Sequence, residues 1–125
     1  RGEIRAFDYE QSTGAISNQR TFVKVTDGTG APDGLTIDSE DCIWSARWGG
    51  SCMVRYDKAG KELFRIEFPA KKVSCVTFGG PDYTDMFITT AGGNDRKSNG
   101  PAAGALFRLN LGIKGVPEFP SRIGV

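Results

Sequence analysis

Short alternating runs dominate the chain, and they recur at a fixed spacing. Leu63-Phe64-Arg65-Ile66-Glu67-Phe68 places Phe64, Ile66 and Phe68 on one face and Arg65 and Glu67 on the other. That is the two-residue period of a half-buried strand. Runs of the same kind lie at Ile4–Tyr9, Thr21–Val25, Leu35–Asp38, Cys42–Ala46, Met53–Asp57, Val73–Phe78, Met86–Thr90 and Ala105–Leu109. Ala15–Asn18 reads as the start of the strand that ends near Val25. Turn-forming clusters separate them: Ser12-Thr13-Gly14, Ser39-Glu40-Asp41, Trp48-Gly49-Gly50, Ala59-Gly60 and Gly79-Gly80-Pro81-Asp82. No amphipathic pattern runs long enough for a helix of about ten residues. The reading is an all-β chain.

The runs also repeat in groups. Phe7-Asp8 precedes a turn ending at Gly14, and Tyr56-Asp57 precedes a turn ending at Gly60. Arg108-Leu109-Asn110 echoes Arg55-Tyr56-Asp57, with Gly112 shortly after. The spacings are 49 residues from Asp8 to Asp57 and 53 from Asp57 to Asn110. Leu35-Thr36-Ile37-Asp38 with Ile43-Trp44-Ser45-Ala46 resembles Cys75-Val76-Thr77-Phe78 with Phe87-Ile88-Thr89-Thr90. Four short strands per repeat is the pattern of propeller blades. At this period 125 residues make about two and a half blades, and a closed propeller needs about four to eight. The expected parts are a partial blade at 1–26, a full blade at 32–69 and a further blade at 71–120. A self-contained β-sandwich is the alternative. The first residue is Arg1 instead of Met, and the expectation is a piece of a longer polypeptide or a half that pairs with a copy of itself.

Composition removes several functions. The chain has no His, so it holds no His-based triad, base or metal site. A metal here would rest mainly on oxygen ligands, which suit hard cations. Lys plus Arg is 16 and Asp plus Glu is 15, a balance that argues against nucleic-acid and membrane-surface partners. No apolar run approaches the roughly 20 residues of a membrane span. Cys42, Cys52 and Cys75 form no C-x-x-C pair and read as buried free thiols, with a Cys42–Cys52 bridge as an unsupported alternative. There is no N-x-S/T site, and the expected location is cytoplasmic.

Two motifs fail. Asp95-Arg96-Lys97-Ser98-Asn99-Gly100 imitates the start of a calcium loop, but Lys97 takes a ligand position and Leu106 stands where Glu is required. It reads as a long polar loop. Gly28-Thr29-Gly30 is followed by a strand, whereas a phosphate cradle needs a helix N-terminus. Trp44 reads as core between blades. Asp8, Asp38 and Asp57 read as strand-end residues bonding turn amides. Arg55 and Arg108 read as surface or inter-blade pairs. Trp48 and Arg47, beside Gly49-Gly50, read as a turn that could also rim a substrate site.

The segment Pro32-Asp33-Gly34-Leu35-Thr36-Ile37-Asp38-Ser39-Glu40-Asp41-Cys42-Ile43-Trp44-Ser45-Ala46 resembles the SMP-30/gluconolactonase/regucalcin family. The likeness continues in Arg55-Tyr56-Asp57, in Phe78-Gly79-Gly80-Pro81-Asp82, in Met86–Ala91 and in Gly104–Gly115. Asp41 departs from it, since the family usually has Gly in that turn. The resemblance implies a six-bladed propeller of which this chain is the C-terminal part. It also implies metal-dependent hydrolysis of sugar-acid lactones, with a divalent cation near the central channel. Calcium is the first choice, with zinc, magnesium and manganese as alternatives. Asp33 falls on the family's metal-ligand aspartate, which is also proposed there as general base. From the residues alone, an aspartate bonding its own turn is the plainer reading of Asp33. The family's other ligands, a Glu and an Asn, have no matching motif in this chain, so the fragment alone is expected to be inactive. The implied partners are a lactone substrate and the remaining propeller segment or a symmetry copy. A calcium-binding or interaction module without turnover is the alternative function.

Overall fold

A computed structural model describes residues 2–119. Arg1 and residue 120, the outer limits of the first and last expected blades, lie outside the described residues. Nine strands follow in order: β1 (Glu3–Glu10), β2 (Ala15–Lys24), β3 (Ala31–Ile37), β4 (Ile43–Trp48), β5 (Cys52–Tyr56), β6 (Glu62–Glu67), β7 (Lys72–Gly79), β8 (Asp85–Ala91) and β9 (Leu106–Asn110). Among the described residues the one helix is a single turn, α1 (Arg96–Asn99), in the loop after β8. None is long and apolar enough to cross a membrane.

Every strand pair is antiparallel. β3, β4, β5 and β6 form a four-stranded meander. β7, β8 and β9 form a second meander. One bridge between Trp48 and Lys72 links the two into a single curled sheet. β1 and β2 make a separate ribbon. Consecutive meanders without a Greek-key crossing set aside the sandwich. The chain is an all-β segment of a β-propeller. We read β1–β2, β3–β6 and β7–β9 as its partial, complete and incomplete blades.

Two apolar clusters hold these parts together. Trp44, Ala46, Met53 and Phe68 from one meander meet Val73, Val76, Phe78, Met86 and Ile88 from the next. Ile4 and Val23 of the ribbon meet Cys52, Val54 and Tyr56 on the other side. β5 is therefore buried at every residue, with Met53 facing one cluster and Cys52, Val54 and Tyr56 the other. Trp44 is fully buried between the meanders, edge-on to Phe64 at 5.5 Å and to Phe78 at 6.2 Å, as expected for an inter-blade core residue.

The three cysteines are free. Cys42 and Cys52 are buried, and burial pushes both thiols up, which leaves them poor nucleophiles. Cys75 is exposed, against the expectation, because it alternates with the buried Val76 and Phe78 and so lies on the opposite face of β7.

Candidate functional site

The sequence Ala-Pro-Asp-Gly reads as a turn, yet β3 already begins at Ala31. Asp33 therefore lies inside the strand, not before it. Pro32 pairs with Arg47 and Leu35 with Ser45, which leaves Asp33 and Gly34 together opposite Ala46. Such a bulge bends the strand and re-aims its side chains. Turn chemistry and pairing are thus reconciled: Pro and Gly are tolerated in a strand at an irregularity of this kind.

A close contact holds the bulge in place. A Cβ on Gly34 would lie 2.6 Å from Cys75 Sγ, 2.7 Å from the Ser74 carbonyl oxygen and 2.8 Å from Cys75 Cα. Only glycine lets β3 and β7 approach this closely. β7 is irregular at the same height. Val73 pairs with Thr90 and Cys75 with Thr89, so Ser74 is the extra residue there. In the internal repeat Leu35 aligns with Cys75, hence Gly34 with Ser74. The two bulges are repeat-related and face each other.

Asp33 itself is exposed. Among the described residues no hydrogen-bond donor reaches its carboxylate. The other aspartates differ. Asp57 accepts the amides of Ala59 and Lys61, each at 2.9 Å, as a turn residue should. Asp38 is fully buried. Its Oδ1 accepts the amides of Glu40 at 2.9 Å and Cys42 at 3.1 Å, and its Oδ2 accepts Trp44 Nε1 at 2.8 Å and Arg55 Nε at 2.9 Å. Burial pushes the Asp38 carboxyl up, but these four donors outweigh it and hold the group below the usual carboxylate range. Asp8 corrects the expectation. It takes no turn amide and accepts from Asn18 and Arg20 on the paired strand, each at 2.8 Å.

Arg55 is not a surface residue. It is buried and bound to Asp38 and Glu40, and its guanidinium carbon lies 5.6 Å from the Trp44 ring centre. Arg108 pairs with Asp85 at 2.7 Å with its side chain in solvent. Asp95 and Asn99 organise their own loop. The Asp95 side chain accepts the Ser98 amide at 3.3 Å, and Asn99 Nδ2 donates to the Asp95 carbonyl at 2.9 Å. Trp48 closes β4, pairs with Ala31 and stays 43% exposed, with Lys72 Nζ 5.3 Å from its ring centre. Arg47, expected in the turn beside it, is instead a buried strand residue.

Among the described residues no three Cys, Asp or Glu side chains gather in a way that could hold a metal ion. Asp33 offers one hard oxygen ligand, and a calcium shell needs about six to eight. The described residues do not make a complete metal site.

The comparisons with known proteins agree with this architecture. The relative named pentonolactonase XacC, from Haloferax volcanii, is 47% identical and covers 96% of this chain and 44% of its own length. A regucalcin of Danio rerio is 40% identical over 93% of this chain and 41% of its own. The crystal structure described as a calcium-binding protein, regucalcin, from Agrobacterium tumefaciens superposes with a TM-score of 0.81 at 31% identity, over 92% of this chain and 40% of that one. The chain thus spans under half the length of each. The model of the SMP-30/gluconolactonase/LRE-like region matches residues 1–92, a stretch that contains the β3 bulge and its Gly-only contact, and the chain belongs to that family.

Proposed function

We propose that the assembled propeller hydrolyses sugar-acid lactones and that Asp33 is the reacting carboxylate this chain supplies. One observation carries the reading: an exposed carboxylate that no donor among the described residues reaches stands on a bulge beside a close approach only glycine permits. Similar proteins named pentonolactonase and gluconolactonase support a lactone as the substrate. In this reading a water oxygen attacks the lactone carbonyl carbon while Asp33 takes a proton from that water. The ring C–O bond then breaks, the leaving oxygen receives the proton, and an open hydroxy acid results. Asp33 is also proposed as one ligand of a divalent cation, calcium first, with the remaining ligands drawn from outside the described residues.

The name regucalcin, shared by several relatives, favours a second reading: calcium binding or protein interaction without turnover. Hydrolysis of a gluconolactone and a pentonolactone separates the two. The assembled propeller is assayed with divalent metal, after chelation, and with metal restored. Turnover that disappears on chelation and returns with metal supports the lactonase. Calcium binding without turnover on either lactone selects the second reading.

A further inference from the structure

Arg47 lies near the end of β4 and is 1% exposed. Its Nη2 donates to the Tyr56 hydroxyl, and its guanidinium carbon stands 5.7 Å from the centre of that ring. Nε and Nη1 are buried with no acceptor among the described residues. A guanidinium keeps its charge at any ordinary pH and carries five donors. Burying that charge is costly unless it is paired. Arg55, also buried, shows the contrast, since Asp38 and Glu40 both answer it.

The surroundings leave room for a partner. Arg47 borders a cavity of about 270 Å³ between the β1–β2 ribbon and the curled sheet. Lys24, Tyr56, Asp27 and Glu62 also line it. Both acids are already engaged: Asp27 accepts from Thr29 and Arg65, and Glu62 accepts from Arg65. Neither is bonded to Arg47. Lys24 adds a second positive charge to the wall.

We infer that Arg47 is a carboxylate-binding group and that the cavity beside it receives one carboxylate. A planar, permanently charged donor set with two free nitrogens matches carboxylate oxygens better than a neutral acceptor. The carboxylate comes from a free small acid or from an Asp or Glu side chain of another segment of the assembled propeller. This inference does not rest on the lactonase reading, because it concerns the face of β4 turned towards the ribbon.

Formate is the probe. The assembled propeller, wild type and Arg47→Met, is melted in rising sodium formate against sodium chloride at equal ionic strength. A saturable, formate-specific rise in Tm that Arg47→Met lacks supports the inference and identifies a free acid. If formate has no effect, Arg47→Met and Arg47→Lys are compared in the assembled propeller. A lower Tm for Met that Lys partly restores supports the inference with a protein side chain as the source, since Lys keeps the charge without the planar shape. Equal losses for both variants mark Arg47 as packing alone and overturn it. So does a Met variant that melts at or above the wild type with no formate effect. Should Arg47→Met not fold, Arg47→Lys replaces it in the titration. A weakened formate response is then expected, and an unchanged response overturns the inference.

Discussion

Asp33 and Asp38 share one strand-and-turn unit and differ in everything that matters for chemistry. Asp38 is sealed and accepts four hydrogen bonds, two from side chains of the next strands. Asp33 is open to solvent. Removing the charge at Asp38 leaves Arg55 buried with only the exposed Glu40 as partner. Asp38→Asn should therefore destabilise the fold by about 3–5 kcal/mol, the scale for breaking a buried pair. Urea unfolding at neutral pH checks this, and a loss below about 1 kcal/mol would contradict it. The sign with pH follows from the lowered carboxyl. Its contribution is fully present above the unfolded value of about 3.9 and is lost as pH falls through the lower folded value. The Asn variant should lack that part of the acid loss. The sequence marked Asp38 as a strand-end residue bonding turn amides, and it is one. Its bonds to Trp44 and Arg55 were not legible, because they depend on the register of β4 against β5. Asp41 shows the reverse case. The family likeness marked it as standing where Gly is usual, and its φ of +60° is the left-handed conformation that explains the preference.

At the scale of elements, the nine alternating runs became nine strands, because two-residue periodicity is a local property that packing here reinforced. β3 begins at Ala31, four residues before the alternating run that starts at Leu35. Pro-Asp-Gly carries the chemistry of a turn, and only pairing with β4 and contact with β7 draw it into a strand. The bulge that positions Asp33 was hidden for the same reason. Gly34→Ala tests whether that contact matters. Its backbone is not left-handed, so the cost is steric: the new methyl meets the Cys75 sulfur and the Ser74 carbonyl. Overpacking of this kind costs about 1–3 kcal/mol, and β3 should shift away from β7. A thermal melt with the Ser74 and Cys75 amide NMR shifts reads both effects. An Ala variant with unchanged Tm and unchanged shifts would show that the strands are not held by this contact.

For the molecule as a whole, the repeat spacing and the family likeness pointed to the same architecture from separate evidence, and the meander order agrees with both. Tyr9, Ile16 and Leu106 are each 64% or more exposed, on strands β1, β2 and β9. Open edges and exposed apolar side chains invite pairing. We propose that the remaining propeller segment or a second copy covers them. Sedimentation should show a species heavier than the 13.5 kDa chain, and a stable, monodisperse monomer of that mass would contradict the proposal. Of the proposed site only Asp33 was legible: one carboxylate does not make a metal shell, and among the described residues no three Cys, Asp or Glu side chains gather to complete one. The most direct test is the rate of gluconolactone hydrolysis by the assembled propeller carrying Asp33→Asn, with metal added back and a thermal melt run beside it. The substitution keeps the shape of the side chain and removes its charge and basicity. We expect kcat/KM to fall by about 10²-fold or more with Tm nearly unchanged, the scale of a lost general base. Near-normal turnover by a folded variant would contradict the account.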